Sequence, residues 1–116
     1  DLGKLSLNEF YRVAESYPAG SDEYNEVFET MVRLYPDDAT ANLNASNVAM
    51  SRGDLVSARK YVAKAGGTPE AVYARGVLAG LDKDYVQARR LLSQAQSMGV
   101  KEAADALEQI NKIDKK

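Results

Sequence analysis

Apolar residues recur at helical spacing along most of the chain, and each run is framed by residues that start or stop a helix. Leu7, Phe10, Tyr11 and Ala14 lie three and four residues apart behind the tetrapeptide Ser6 to Glu9. In that tetrapeptide the serine hydroxyl can accept from the third amide while the glutamate reaches back, a capping box that predicts a helix start. Pro18 and Gly20 end this helix. A second begins after Ser21, with Asp22 and Glu23 in its first turn, where negative charge complements the free amides. Its stripe is Tyr24, Val27, Phe28, Met31 and Leu34, and Pro36 closes it. Asp38 caps a third helix over 39–51, with Gly53 as its left-handed stop. Asp54 caps a fourth over 55–65, ended by Gly66 and Gly67. Thr68 caps a fifth with Pro69 at its first position, where a missing amide costs nothing. Asp84 and Gln87 open a sixth that runs to Met98 and stops at Gly99. The seventh covers about 101–113, with Ala103, Ala104, Leu107 and Ile110 on one face, before a fraying tail of Asp114, Lys115 and Lys116. Connections of two to six residues predict antiparallel neighbours in an all-α chain.

The pattern repeats. Shifted by 30 residues, GDLVSARKYVAKA overlays KDYVQARRLLSQA. Ser46 meets Gly76, Ala58 meets Ala88, Val62 meets Leu92 and Ala65 meets Ala95. A two-helix unit of this length is the mark of a helical solenoid: one hairpin cannot bury its apolar face alone, so hairpins stack and share a core. The small residues fall where two backbones approach, and Val62 and Leu92 fill the space beside them.

These spacings resemble the tetratricopeptide repeat over nearly the whole chain. That family favours a small residue at its eighth place, Ala at the twentieth, a bulky apolar residue at the twenty-fourth and Ala at the twenty-seventh. Ser46, Ala58, Val62 and Ala65 match from Ala39, and Gly76, Ala88, Leu92 and Ala95 match from Pro69. The resemblance implies one domain, a right-handed α-α superhelix (a TPR-like solenoid) of about three helix pairs, at about 5–38, 39–68 and 69–98. A C-terminal capping helix at about 100–113 would hide the last apolar face. Two departures stand out. Tyr24, Phe28 and Met31 stand at the twentieth, twenty-fourth and twenty-seventh places of the first unit, so its helices must sit further apart or tilt. Asn42 and Val72 replace the family's usual aromatic residue. The segment NEVFETMVRLYPDDATANLNASNVAM also looks like a C-terminal repeat module of bacterial cell-envelope proteins. That resemblance implies a periplasmic or cell-envelope location, with the cytoplasm as the alternative.

The same resemblance implies a concave groove lined by the first helix of each pair. Asn44, Asn47 and Met50 in one unit, and Tyr73 and Val77 in the next, would face it. Asn is a poor helix former, costing up to ~0.7 kcal/mol relative to Ala, yet Asn42, Asn44 and Asn47 lie within six residues. An Asn in a groove donates and accepts together, and so can hold the backbone of an extended peptide. The competing explanation is local: such residues bond the neighbouring loop or face water. Met50 and Tyr73 at helical spacing also fit a core role. Some family members grip a C-terminal carboxylate. Asn44 matches one place of that grip, but Glu9, Val13, Glu70 and Ala74 do not, and an acid there would repel the ligand.

Composition narrows the function. The 116 residues contain no Cys, His or Trp, which removes thiol nucleophiles, disulfides, Cys/His metal sites and imidazole chemistry. The carboxylates at Asp22, Glu23, Glu26, Asp37 and Asp38 lie at helix starts, where capping explains them, so no enzyme, cofactor or metal is expected. The Arg52 to Asp54 tripeptide is a helix stop and cap. A net charge of −2 gives nucleic acid no electrostatic hold. Residues 1–50 carry nine acids and three bases, −6, and residues 51–116 eight acids and twelve bases, +4. No run approaches the roughly 18 apolar residues of a spanning helix, so no membrane insertion is expected of this segment. The chain begins at Asp1, which fits a processed protein or a piece of a longer one. The expectation is a protein–protein interaction or scaffolding module presenting a groove to a peptide or neighbouring domain. The alternative is a structural spacer or oligomerisation domain of a larger cell-envelope protein.

Overall fold

The computed structural model describes residues 6–114; the expected unit start at residue 5 and the tail residues Lys115 and Lys116 lie outside the described residues. The fold is all-α. Among the described residues there are seven helices and no strand: α1 Leu7–Glu15, α2 Asp22–Leu34, α3 Ala39–Ser51, α4 Leu55–Val62, α5 Pro69–Leu81, α6 Tyr85–Ser97 and α7 Glu102–Asp114. No helix of the described residues is long and apolar enough to cross a membrane.

The six predicted caps all form. Ser6 and Glu9 make the reciprocal box, at 3.3 and 3.1 Å. Ser21 accepts from the Tyr24 amide at 3.2 Å and Asp38 from the Ala41 amide at 2.8 Å. Asp54, Thr68 and Asp84 accept from the amides of Ser57, Ala71 and Gln87 at 3.1, 3.3 and 3.3 Å. Each cap satisfies one of the free amides of its helix's first turn.

The chain divides into two compact units between Ala65 and Gly66. In the first, α1 to α4 pack in sequence order around Phe10, Phe28 and Met31, with Ala41, Ala45 and Val48 of α3. Its core is aromatic: Phe10 meets Tyr35 edge-on at 6.3 Å, and Tyr24 meets Phe28 at 4.8 Å. In the second, α5, α6 and α7 close around Ala88, Leu92 and Ile110, with α7 touching α5 as well as α6. Arg89 of α6 fastens the end of α7 through Asn111, at 3.0 Å, and Asp114.

The hairpins α3–α4 and α5–α6 turn alike. The Asp54 amide donates to the Ala49 carbonyl and the Asp84 amide to the Ala79 carbonyl, both at 2.9 Å. Asp54 sits at φ −89°, ψ 80° and Asp84 at φ −86°, ψ 77°. Ser46 donates its hydroxyl to the Ala58 carbonyl at 2.9 Å. At Gly76 an added Cβ would come within 2.8 Å of the Leu92 side chain. The small residues therefore do mark close approach within each hairpin.

Four expectations need correction. Leu34 is exposed, and Val32 is buried instead, because Leu34 is the last residue of α2 and lies at the end of its packed face. Ala104 is exposed, and Ala106 joins Ala103, Leu107 and Ile110 on the packed face of α7. The fourth helix ends at Val62, three residues before the expected 65. The chain tightens there into bonds from Lys64 to Tyr61 and Ala65 to Val62, since Gly66 and Gly67 replace the Gln96 and Ser97 that continue α6. Asp114, expected to fray, is the last residue of α7 and pairs with Arg89.

Candidate functional site

The first unit holds a hollow of about 170 Å³ between α2 and α3. From α2 it takes Tyr24, Asn25 and Phe28; from α3, Asn44, Asn47, Val48 and Ser51; and from the turn before α2, Gly20. The spacing follows from helix geometry: residues three and four apart share a face. None of the eight lining residues carries a charge.

Asn44 and Asn47, both expected in a groove, are thus brought together. Asn44 is half-buried, and its Nδ2 lies 3.5 Å from the Tyr11 hydroxyl, a long contact that leaves the amide available. Asn47 is exposed. Tyr11 stands beside this wall; burial and then the Asp38 charge raise its pKa, against the opposing hydrogen bonds of Thr40 and Asn44. The phenol therefore stays protonated and can donate as well as accept.

The other predicted residues fall elsewhere. Met50 is half-buried on α3 and does not line the hollow. Tyr73 and Val77 belong to the second unit, where both pack against Ala88, Leu92 and Ile110 as part of the core wall. Asn42 has a local task. It is 1% exposed, and its Nδ2 donates to the carbonyls of Pro36 and Asp38, at 3.0 and 2.8 Å, tying the α2–α3 turn to α3.

Sequence reasoning missed the α2 wall. Tyr24 and Phe28 read as core stripe, and Asn25 drew no notice. The available signal was the polar amide of Asn25 three residues before Phe28, on a face otherwise apolar. A second hollow of about 490 Å³ lies against the α4 C-terminus, with Val32, Pro36 and Tyr61 as its apolar lining and Lys60 and Lys64 at its edge. Lys64 there stands 3.9 Å from Asp37. No family model matches the chain, and no curated protein matches it either.

Proposed function

We propose that this chain is a TPR-like helical-repeat module that binds a polypeptide partner, without catalysis, and that the α2–α3 hollow is where it does so. The observation that carries the reading is the pairing of Asn44 and Asn47, one turn apart on α3, in an uncharged hollow walled by Tyr24 and Phe28. Amides offer donor and acceptor together, which suits peptide groups, while the rings supply apolar contact. The matched turns of α3–α4 and α5–α6 support the repeat reading, in which hairpins stack as a right-handed superhelix. A preformed surface of this kind loses little entropy on binding. The cell-envelope setting rests on the resemblance of the segment from Asn25 to Met50.

The test is binding to an array of unrelated peptides, repeated with Asn44→Ala/Asn47→Ala. Loss of at least about tenfold in affinity, ~1.4 kcal/mol, with an unchanged circular dichroism spectrum is expected. Retained affinity in the folded double variant overturns the assignment.

The spacer or oligomerisation reading draws on one observation. Val56 and Val86 hold the same place in successive hairpins and are 61% and 78% exposed, an apolar repeat on the second helix of each hairpin. Light scattering distinguishes the two: a stable dimer at micromolar concentration favours oligomerisation.

A further inference from the structure

The side chain of Asn25 lines the α2–α3 hollow from a largely buried position. The residue is 8% exposed, yet its carboxamide has no hydrogen-bond partner among the described residues. No fully enclosed side-chain nitrogen or oxygen lacks a partner, so this carboxamide must reach solvent, and the hollow it lines is where it does so. A carboxamide held at 8% exposure meets little water, and a ligand amide in the hollow can complete its bonding. The hollow has room for about five or six waters at ~30 Å³ each, the bulk of one side chain.

We infer that the hollow is a socket for one uncharged carboxamide side chain, that of a glutamine or asparagine in the partner. This rests on the polypeptide-binding reading for the source of the amide. Asn25 offers one carbonyl and one NH2 side by side, and a second primary amide meets both in a reciprocal pair. Asn44 and Asn47 stand on the opposite wall for the remaining donor and acceptor. A carboxylate fits poorly, because it would lose its hydration among lining residues that hold no cation. Tyr24 and Phe28 flank the aliphatic stem.

The test is titration of the 15N-labelled full chain with three probes, read by NMR. N-acetylglutamine N-methylamide carries the side-chain amide, N-acetylglutamate N-methylamide replaces it with a carboxylate, and N-acetylglycine N-methylamide offers main-chain amides alone. Saturable shifts of the Asn25, Asn44 and Asn47 side-chain signals are expected with the first probe, and binding at least tenfold weaker with the other two. Asn25→Leu should abolish the response. Asn25→Asp keeps the shape and swaps the NH2 for a charged oxygen, so it gives the same reading should the leucine variant fail to fold. No saturable shift, equal shifts with all three probes, or a response that survives in a folded Asn25 variant overturns the socket. Array peptides that still bind Asn25→Leu would overturn the socket alone and leave the interaction module standing. A seated glutamine probe with no array peptide bound would overturn the module instead.

Discussion

Lys83 holds a left-handed backbone at φ 65°, the place that Gly53 fills at φ 76° in the preceding hairpin. A side chain with a Cβ is strained there by roughly 1–2 kcal/mol, partly offset because glycine loses more freedom on folding. Lys83→Gly should therefore stabilise the protein by about 0.5–1 kcal/mol, and Gly53→Ala should destabilise it by a similar amount. Urea midpoints measure both. The caps carry a pH signature. The backbone amide of Ser6, then its hydroxyl, holds the Glu9 carboxyl below the ordinary carboxylate range. The Ser57 hydroxyl, then its amide, does the same for Asp54. A depressed folded pKa means that the unfolded chain binds protons first on acidification. The caps' contribution is thus complete above the ordinary carboxylate range and is lost as pH falls below about 4 through the folded values. Glu9→Gln/Asp54→Asn keeps uncharged cap acceptors. Between about pH 6 and pH 3 its urea midpoint should fall less than the parent's; an equal fall would reject the assignment.

At the scale of the helix pair, each hairpin couples one small residue to one filler. Ser46 stands with Val62 in the first, and Gly76 with the larger Leu92 in the second. An added Cβ at Gly76 would meet Leu92 Cγ at 2.8 Å, Cδ2 at 2.9 Å and its backbone nitrogen at 3.2 Å. Gly76→Ala should cost about 1–3 kcal/mol by overpacking, less up to ~1 kcal/mol of helix propensity. Leu92→Val, which restores the volume of the first hairpin, should recover part of that loss. A double variant no more stable than Gly76→Ala alone would show that Leu92 is not the obstruction. This pairing was legible in advance, because the repeat aligns Ser46 with Gly76 and Val62 with Leu92. So were the caps, which depend on residues within one turn. The end of α4 was not, because the apolar spacing runs on to Ala65 while the backbone tightens into shorter bonds after Val62. Nor was the task of Asn42: nothing in the sequence shows that its amide bonds to the carbonyls of Pro36 and Asp38. Asn42→Ala would remove the side-chain donor that joins the Pro36 and Asp38 carbonyls, and should cost about 0.5–1.5 kcal/mol.

Across the whole molecule, charge and candidate site are separate. The chain carries −6 over residues 1–50 and +4 over 51–116, yet the hollow between α2 and α3 is lined only by uncharged side chains. Part of that site was readable. Asn44 and Asn47 stood out as poor helix formers, whereas Tyr24 and Phe28 were hidden in a stripe that also builds the core, and Asn25 lay outside that stripe. A helical stripe gives direction but not depth, so it cannot tell a wall from an interior. The separation has a measurable consequence. Exposed charges more than about 10 Å apart are screened at 0.1 M salt, and a complex held by the dipolar surface would weaken steeply as salt rises. Amide and aromatic contacts in an uncharged hollow have no such dependence. A peptide selected on the array should therefore bind with less than about a twofold change in affinity between low and high sodium chloride. A tenfold loss over the same range would move the contact from the Asn-lined hollow to the charged faces, where Asn44→Ala/Asn47→Ala should then have no effect.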